Sequence, residues 1–259
     1  MTWRWASWVA AVGLLLADLF LHQPITDICD AWVVRFGWAT YNRWTFWILV
    51  SASIAVALAL LGRRWRRWLR PSAVAALLLL ILATCVAYRF LIVANIELIH
   101  FPQYALMAGV LLAGGNPPGL AWAATVAAGV VDETYQHLVI YAGRPNTYLD
   151  FNDMVLNAIG ASWLVLLVAA GNGSPTRAPA SARRAGWRLV VVVAVAALAL
   201  LWLDPPRFAP FLRRAATGRY YRVLSATEGV LAAALLWGVT RLGLGAPAPA
   251  GSAAGRAER

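Results

Sequence analysis

Residues Glu97–Gly109 read ELIHFPQYALMAG, and residues Ala127–Ser162 read AAGVVDETYQHLVIYAGRPNTYLDFNDMVLNAIGAS. The chain has only 11 Asp and Glu residues, yet five of them (Glu97, Asp132, Glu133, Asp150 and Asp153) fall between Glu97 and Gly160. His100 and His137, two of the three histidines, lie there too. Around them stand Ala, Leu, Val and Trp. Ionisable groups set in apolar segments are costly to keep, which makes this stretch the first place to look for function.

Working outward, the composition decides the class. Hydrophobic residues make up 61% of the chain, charged residues 13%, and mean hydropathy is +0.66. Repeated apolar segments near the bilayer-spanning length of about 20 residues imply an all-α, polytopic transmembrane bundle. About eight spans are expected, over 4–21, 44–61, 72–92, 97–113, 119–140, 151–170, 187–203 and 224–241. The start of the chain reads as a retained first span rather than a cleaved leader, because Asp18 interrupts its apolar run and no clean small-residue cleavage site follows. Residues 1–93 form an N-terminal helical region with an outer loop, 94–171 a core, and 172–259 a two-helix extension with a basic tail. Residues 22–43 place Ile25, Ile28, Trp32 and Phe36 at helical spacing, and so read as a short helix along the membrane surface. The Arg- and aromatic-rich segment 204–223 reads as an interfacial anchor, or as a cap holding anionic headgroups.

All 22 basic residues are arginine, giving a net charge of +11. They cluster in linkers between apolar segments, where they fix topology and touch anionic lipid rather than nucleic acid. Five arginines between Arg63 and Arg70, with Arg177, Arg183, Arg184 and Arg188, put both termini in the cytoplasm by the positive-inside rule. Asp18, Arg89, Glu97, His100, Glu133, Gln136, Asp153 and Glu228 then all fall in the outer half of the membrane. Arg207, Arg213, Arg214, Arg219 and Arg222 would face outward against that rule, and are outvoted by the two cytoplasmic linkers. Cys29 and Cys85 have no metal-like spacing and read as packing residues.

Helical spacing sorts the polar residues into stripes. Glu97, His100 and Tyr104 share one face; Glu133, Gln136 and His137 share another, with Asp132 turned partly aside. Asp150, Asp153, Asn157 and Gly160 share a third, and Gly160 with Ala161 permits close helix approach. Stripes on adjacent helices must face one another or water, since a polar group facing acyl chains costs several kcal/mol. Arg144 sits between two of them.

Glu97-x-x-His100 with Tyr104, Glu133-x-x-Gln136, Gly143-Arg144 and Asp153-x-x-x-Asn157-x-x-Gly160 together resemble the VanZ-like family of membrane proteins, over residues 97 to about 165. The resemblance implies a bacterial cell-envelope role, linked in that family to tolerance of the glycopeptide teicoplanin. It carries over His100, Glu133, Gln136, Arg144, Asp153 and Asn157 as the family's polar positions.

The expected function is to bind or modify an anionic, lipid-linked or phosphorylated envelope amphiphile at the outer surface. Glu133, His100 and Asp153 are the candidate catalytic groups, and Arg144, Gln136, Asn157, Tyr104, Glu97 and Arg89 the candidate substrate-binding ones. Other readings stand beside it: a structural polar staple, a binder of lipid or antibiotic without turnover, a glutamate-type intramembrane protease, and a divalent-metal site made by Glu97, His100, Glu133 and Asp153. Gln136 and Arg144 suit a metal poorly, so no metal or other cofactor is expected. The expected partners are membrane lipids or lipid-linked precursors, and no nucleic acid.

Overall fold

The computed structural model describes residues 2–62, 71–144, 148–171, 213–214 and 220–244. They form an all-α bundle: α1 (Thr2–Phe36), α2 (Trp38–Gly62), α3 (Pro71–Phe90), a 3-10 turn (Asn95–Ile99), α4 (His100–Ala113), α5 (Pro118–Tyr135), a π-helical turn (Gln136–Ile140), α6 (Phe151–Gly171) and α7 (Ala226–Leu244). A two-residue strand pair, β1 (Arg213–Arg214) with antiparallel β2 (Tyr220–Tyr221), is the one departure among the described residues. Among the described residues, five helical stretches are long and apolar enough to cross a membrane: Trp3–Phe36, Trp38–Leu60, Pro71–Phe90, Asn95–Ala113 and Phe151–Val168. Helices α5 and α7, of 18 and 19 residues, do not reach that measure. The expected span 187–203 and the arginines at 177–188 lie outside the described residues, as does most of 204–223.

One expectation is corrected. Residues 22–43 are not a separate surface helix: α1 runs unbroken to Phe36, carrying Cys29 within it, and α2 starts at Trp38. Pro24 removes one amide donor from α1, but side chains on both sides of it bond along the helix, Thr26 Oγ1 to the His22 carbonyl at 2.9 Å and Gln23 Nε2 to Asp27 at 2.7 Å. The break comes at Gly37, whose φ of +79° suits a residue without a Cβ and whose N–H donates to the Val33 carbonyl at 2.9 Å. Ile25, Ile28, Trp32 and Phe36 are exposed, as their spacing implies.

Helix α6 is the axis. It packs on α3, α4, α5 and α7, and 78% of its apolar window is buried against 6% for α2. Apolar attraction between helices is weak in lipid, so close packing of small residues must hold such a bundle together. Ala73, Ala76, Ala87, Ala108, Ala158 and Ala161 accordingly line the main core with Leu80, Leu156 and Leu166. Leu78, Leu79, Leu82 and Val86 of α3 stay exposed on its outer face.

Helices α1 to α6 alternate in direction, so α4 and α6 begin, and α3 and α5 finish, at one end of the bundle, where α7 also begins. Asn152 ties this end together: its Nδ2 donates to the Leu91 and Arg222 carbonyls at 3.1 and 2.7 Å, and its Oδ1 accepts the Leu224 N–H at 3.0 Å. Asn95 adds a second knot, its N–H and Nδ2 bonding Asn42 at 2.7 and 2.8 Å. At α7, Ser225 and Glu228 exchange hydrogen bonds as a capping box, and Glu228 also pairs with Arg222.

Candidate functional site

Two glycines set how closely the polar stripes approach. A Cβ on Gly160 of α6 would lie 2.5 Å from the Phe101 carbonyl oxygen and 3.0 Å from that of His100. The first turn of α4 therefore rests on α6 two turns below Asp153, and His100 is brought beside that carboxylate. On α5, a Cβ on Gly129 would lie 2.7 Å from Asn157 Nδ2. Glu133 stands one turn further along α5 and Asp153 one turn back along α6, so both project above Asn157.

His100 Nε2 lies 3.4 Å from Asp153 Oδ2, with the two side chains 12% and 18% exposed. Glu133 is buried, and one ligand-capable atom from each of His100, Glu133 and Asp153 falls within 4.8 Å of the others. Gln136 donates to Glu133 Oε1 at 3.5 Å. Asn157 is fully buried, with no hydrogen-bond partner for either end of its amide among the described residues; His100 Nδ1 has none either.

A second layer comes from α1. The buried Tyr104 hydroxyl donates to Asp132 Oδ2 at 3.0 Å and lies 3.4 Å from Asp18 Oδ2. His22 Nε2 and the Tyr141 hydroxyl are 2.8 Å apart. Arg144 stacks over the Tyr141 ring at 4.8 Å, held there by a turn in which its N–H bonds the Tyr141 carbonyl at 3.1 Å. That turn needs Gly143 at a φ of +73°. Tyr141 thus joins the α1 side of the site to the arginine at its mouth. Its phenol is pushed up in pKa, chiefly by burial, with Arg144 opposing.

The structure brings His100, Glu133, Gln136, Asp153, Asn157 and Tyr104 together, with Arg144 at the rim. It separates others. Both carboxylate oxygens of Glu97 are spent on its own helix start, accepting the Val93 and Ala94 N–H groups at 2.8 and 3.0 Å. Arg89 is exposed, lying 5.1 Å over Phe90 with Nη1 3.4 Å from the Tyr220 carbonyl. Asp150 Oδ1 caps α6 by accepting the Asn152 and Asp153 N–H groups at 2.9 and 3.2 Å. Burial, then the Asp153 charge, pushes the Asp150 carboxyl up to about 7 against those two donors. His137 falls in the π-helical turn, which adds a residue to the helix and breaks the register assumed for it.

Asp18, His22, Asp132 and Tyr141 complete the site beyond the residues singled out from spacing. Asp132 is corrected from partly aside to buried, because α1 and Tyr104 close over that side of α5. His22 carried no signal while 22–43 read as a surface segment.

Four carboxylates (Asp18, Asp132, Glu133 and Asp153) thus share one half-open pocket with His100. Two like charges 4 Å apart repel by about 4 kcal/mol at an effective dielectric of 20, so the set requires positive charge between its members, as protons or as a cation. The available chemistry is proton transfer, cation binding and hydrogen bonding to a polar head. Comparison with family models, curated proteins and solved structures finds no match. The VanZ-like resemblance therefore rests on the motif residues alone.

Proposed function

We propose that this is a VanZ-like protein of the bacterial cytoplasmic membrane whose pocket binds the polar head of an anionic envelope amphiphile, lipid-linked or phosphorylated. In this reading the chain crosses eight times with both termini in the cytoplasm, and the pocket opens just beneath the outer surface. The directions of the described helices support that count: α6 finishes at one end of the bundle, while Arg222 and the start of α7 stand at the other, beside the start of α6. The additional crossing is assigned to 187–203 in the eight-span reading, from its apolar sequence.

The observation that carries the reading is the convergence of ionisable and polar groups from α1, α4, α5 and α6 at one level of the bundle, with His100 and Asp153 left partly open. A staple between helices would close such groups on one another. Arg144 at the rim offers a planar, always-charged donor for a phosphate or carboxylate. Behind it, the His100–Asp153 pair is equipped to move a proton to or from a bound head, with Glu133 as the second acid–base group.

The test is the lipid complement of the purified full chain by native mass spectrometry. Wild type should retain an anionic amphiphile that Arg144→Ala and Glu133→Gln lose at normal membrane levels, while Arg241→Ala keeps it. An identical complement in all four proteins overturns the reading.

A further inference from the structure

We propose that His100, Glu133 and Asp153 form a binding site for a first-row divalent cation, of the Zn²⁺ or Mn²⁺ type, with Asn157 as its floor. The proposal goes beyond the pocket reading and needs no amphiphile, so the two ideas fail separately.

Geometry comes first. Three helices each supply one donor, and the three atoms already lie within 4.8 Å of one another. Around a four-coordinate ion with ligands at about 2.1 Å, neighbouring ligand atoms stand about 3.4 Å apart. His100 Nε2 and Asp153 Oδ2 are separated by 3.4 Å. A charge-assisted hydrogen bond between an imidazole and a carboxylate would draw them to about 2.8 Å. The pair's separation is compatible with two ligands on one ion, and the Glu133 donor lies within 4.8 Å of both.

Independent of these three, the Asn157 amide points to a ligand. A fully buried amide with neither end bonded costs about 1–3 kcal/mol and is rare in a packed helix. It lies one turn from Asp153 on α6 and packs on Gly129, one turn from Glu133 on α5. The amide therefore lies one helical turn beneath the triad, where its unpartnered oxygen would serve as a fourth ligand or bond a metal-bound water. One imidazole, two carboxylates and an amide oxygen form a nitrogen–oxygen set suited to Zn²⁺ or Mn²⁺.

Charge agrees with geometry. A divalent cation is one way to supply the positive charge that four neighbouring carboxylates require, at the point where His100 and Asp153 are partly exposed. The sequence-level objections weaken in three dimensions, since Gln136 reaches Glu133 only at 3.5 Å and Arg144 is stacked on Tyr141. Glu97 leaves the ligand set, because it caps its own turn.

The experiment uses the full-length protein in detergent, stripped with chelator and titrated calorimetrically with Zn²⁺ alone and with Mn²⁺ alone. One equivalent should bind for at least one of the two ions. His100→Ala, Glu133→Gln and Asp153→Asn should each weaken that binding about 10- to 100-fold or more. Asp27→Asn, which removes an exposed carboxylate of α1 outside the pocket, should leave it unchanged. Should the pocket variants misfold, Co²⁺ added to the wild type decides: strong visible absorption marks a four-coordinate N/O site, and the weak spectrum of hydrated Co²⁺ marks none. Binding equal in wild type and a folded triple variant, or no saturable binding of either ion, overturns the proposal. Native mass spectra with and without chelator separate the two ideas: amphiphile retained without any metal leaves the first standing and removes the second, and the converse does the opposite.

Discussion

Two buried asparagines at opposite ends of the bundle show what a staple looks like and what a site looks like. Asn116, in the turn between α4 and α5, donates to Ser7 Oγ at 3.2 Å and to the Leu111 carbonyl at 2.9 Å, while its Oδ1 lies 3.4 Å from Arg4 Nη2. Asn157, under His100, Glu133 and Asp153, bonds to nothing among the described residues although it is fully buried. Evenly distributed strain would not produce this contrast. Asn116 has both ends of its amide engaged, whereas Asn157 holds both ends ready for something outside the described residues.

Breaking the contrast most severely is Gly160→Leu. The new side chain would collide with the backbone of His100 and Phe101, which cannot rotate away. A loss of about 3 kcal/mol, read by thermal unfolding in detergent, should accompany loss of the pocket. Next comes Asn152→Ala, which strands the Leu91 and Arg222 carbonyls and the Leu224 N–H and should cost about 2–3 kcal/mol in the same assay.

The comparison is sharpened by a matched pair. Asn116→Leu should destabilise by about 1–2 kcal/mol, whereas Asn157→Leu should be neutral or stabilising by up to about 1 kcal/mol while impairing ligand binding. Equal losses at the two positions would make Asn157 an ordinary staple. Smaller still, Glu97→Gln should cost about 1 kcal/mol of stability and leave the pocket's binding intact, since its oxygens serve the 3-10 turn. Arg144→Ala should change stability by less than about 0.5 kcal/mol and register only in amphiphile retention.

Much of this was legible in the sequence. Apolar runs gave the helical class, and i, i+3, i+7 spacing placed His100 with Tyr104 and Asp153 with Asn157 and Gly160. The close approach expected at Gly160 is met by the Phe101 backbone. What escaped was decided by contacts that periodicity does not encode. The HQPITD stretch of residues 22–27 reads as the start of a separate surface helix, yet it continues α1 without a break, and Asp18 and His22 dock on Tyr104 and Tyr141. The π-helical turn at Gln136 shifts His137 off the face that a regular helix would give it. Glu97 lies on the right face by number, but the chain enters α4 through a 3-10 turn whose amides claim its carboxylate. Arg89 and Arg144 look equivalent as isolated arginines. Only the turn at Gly143 carries one of them to the mouth of the pocket.

Helix α1, with 35 residues in one run, is a rod of about 52 Å, against a hydrocarbon layer of about 30 Å. It is pinned near its middle by Asp18 and His22, so it cannot slide to hide its excess length. About 21 Å of helix continues past His22 to a tip where Phe36 meets Trp32 edge-on and Trp44 at a tilt. The lipid must accommodate this by letting the rod lean or by leaving its aromatic head in the water. On the proposed membrane topology, bilayer thickness would set how deeply the acidic hollow sits, and the same protein placed in thin and thick membranes should offer that hollow to its surroundings at two different depths.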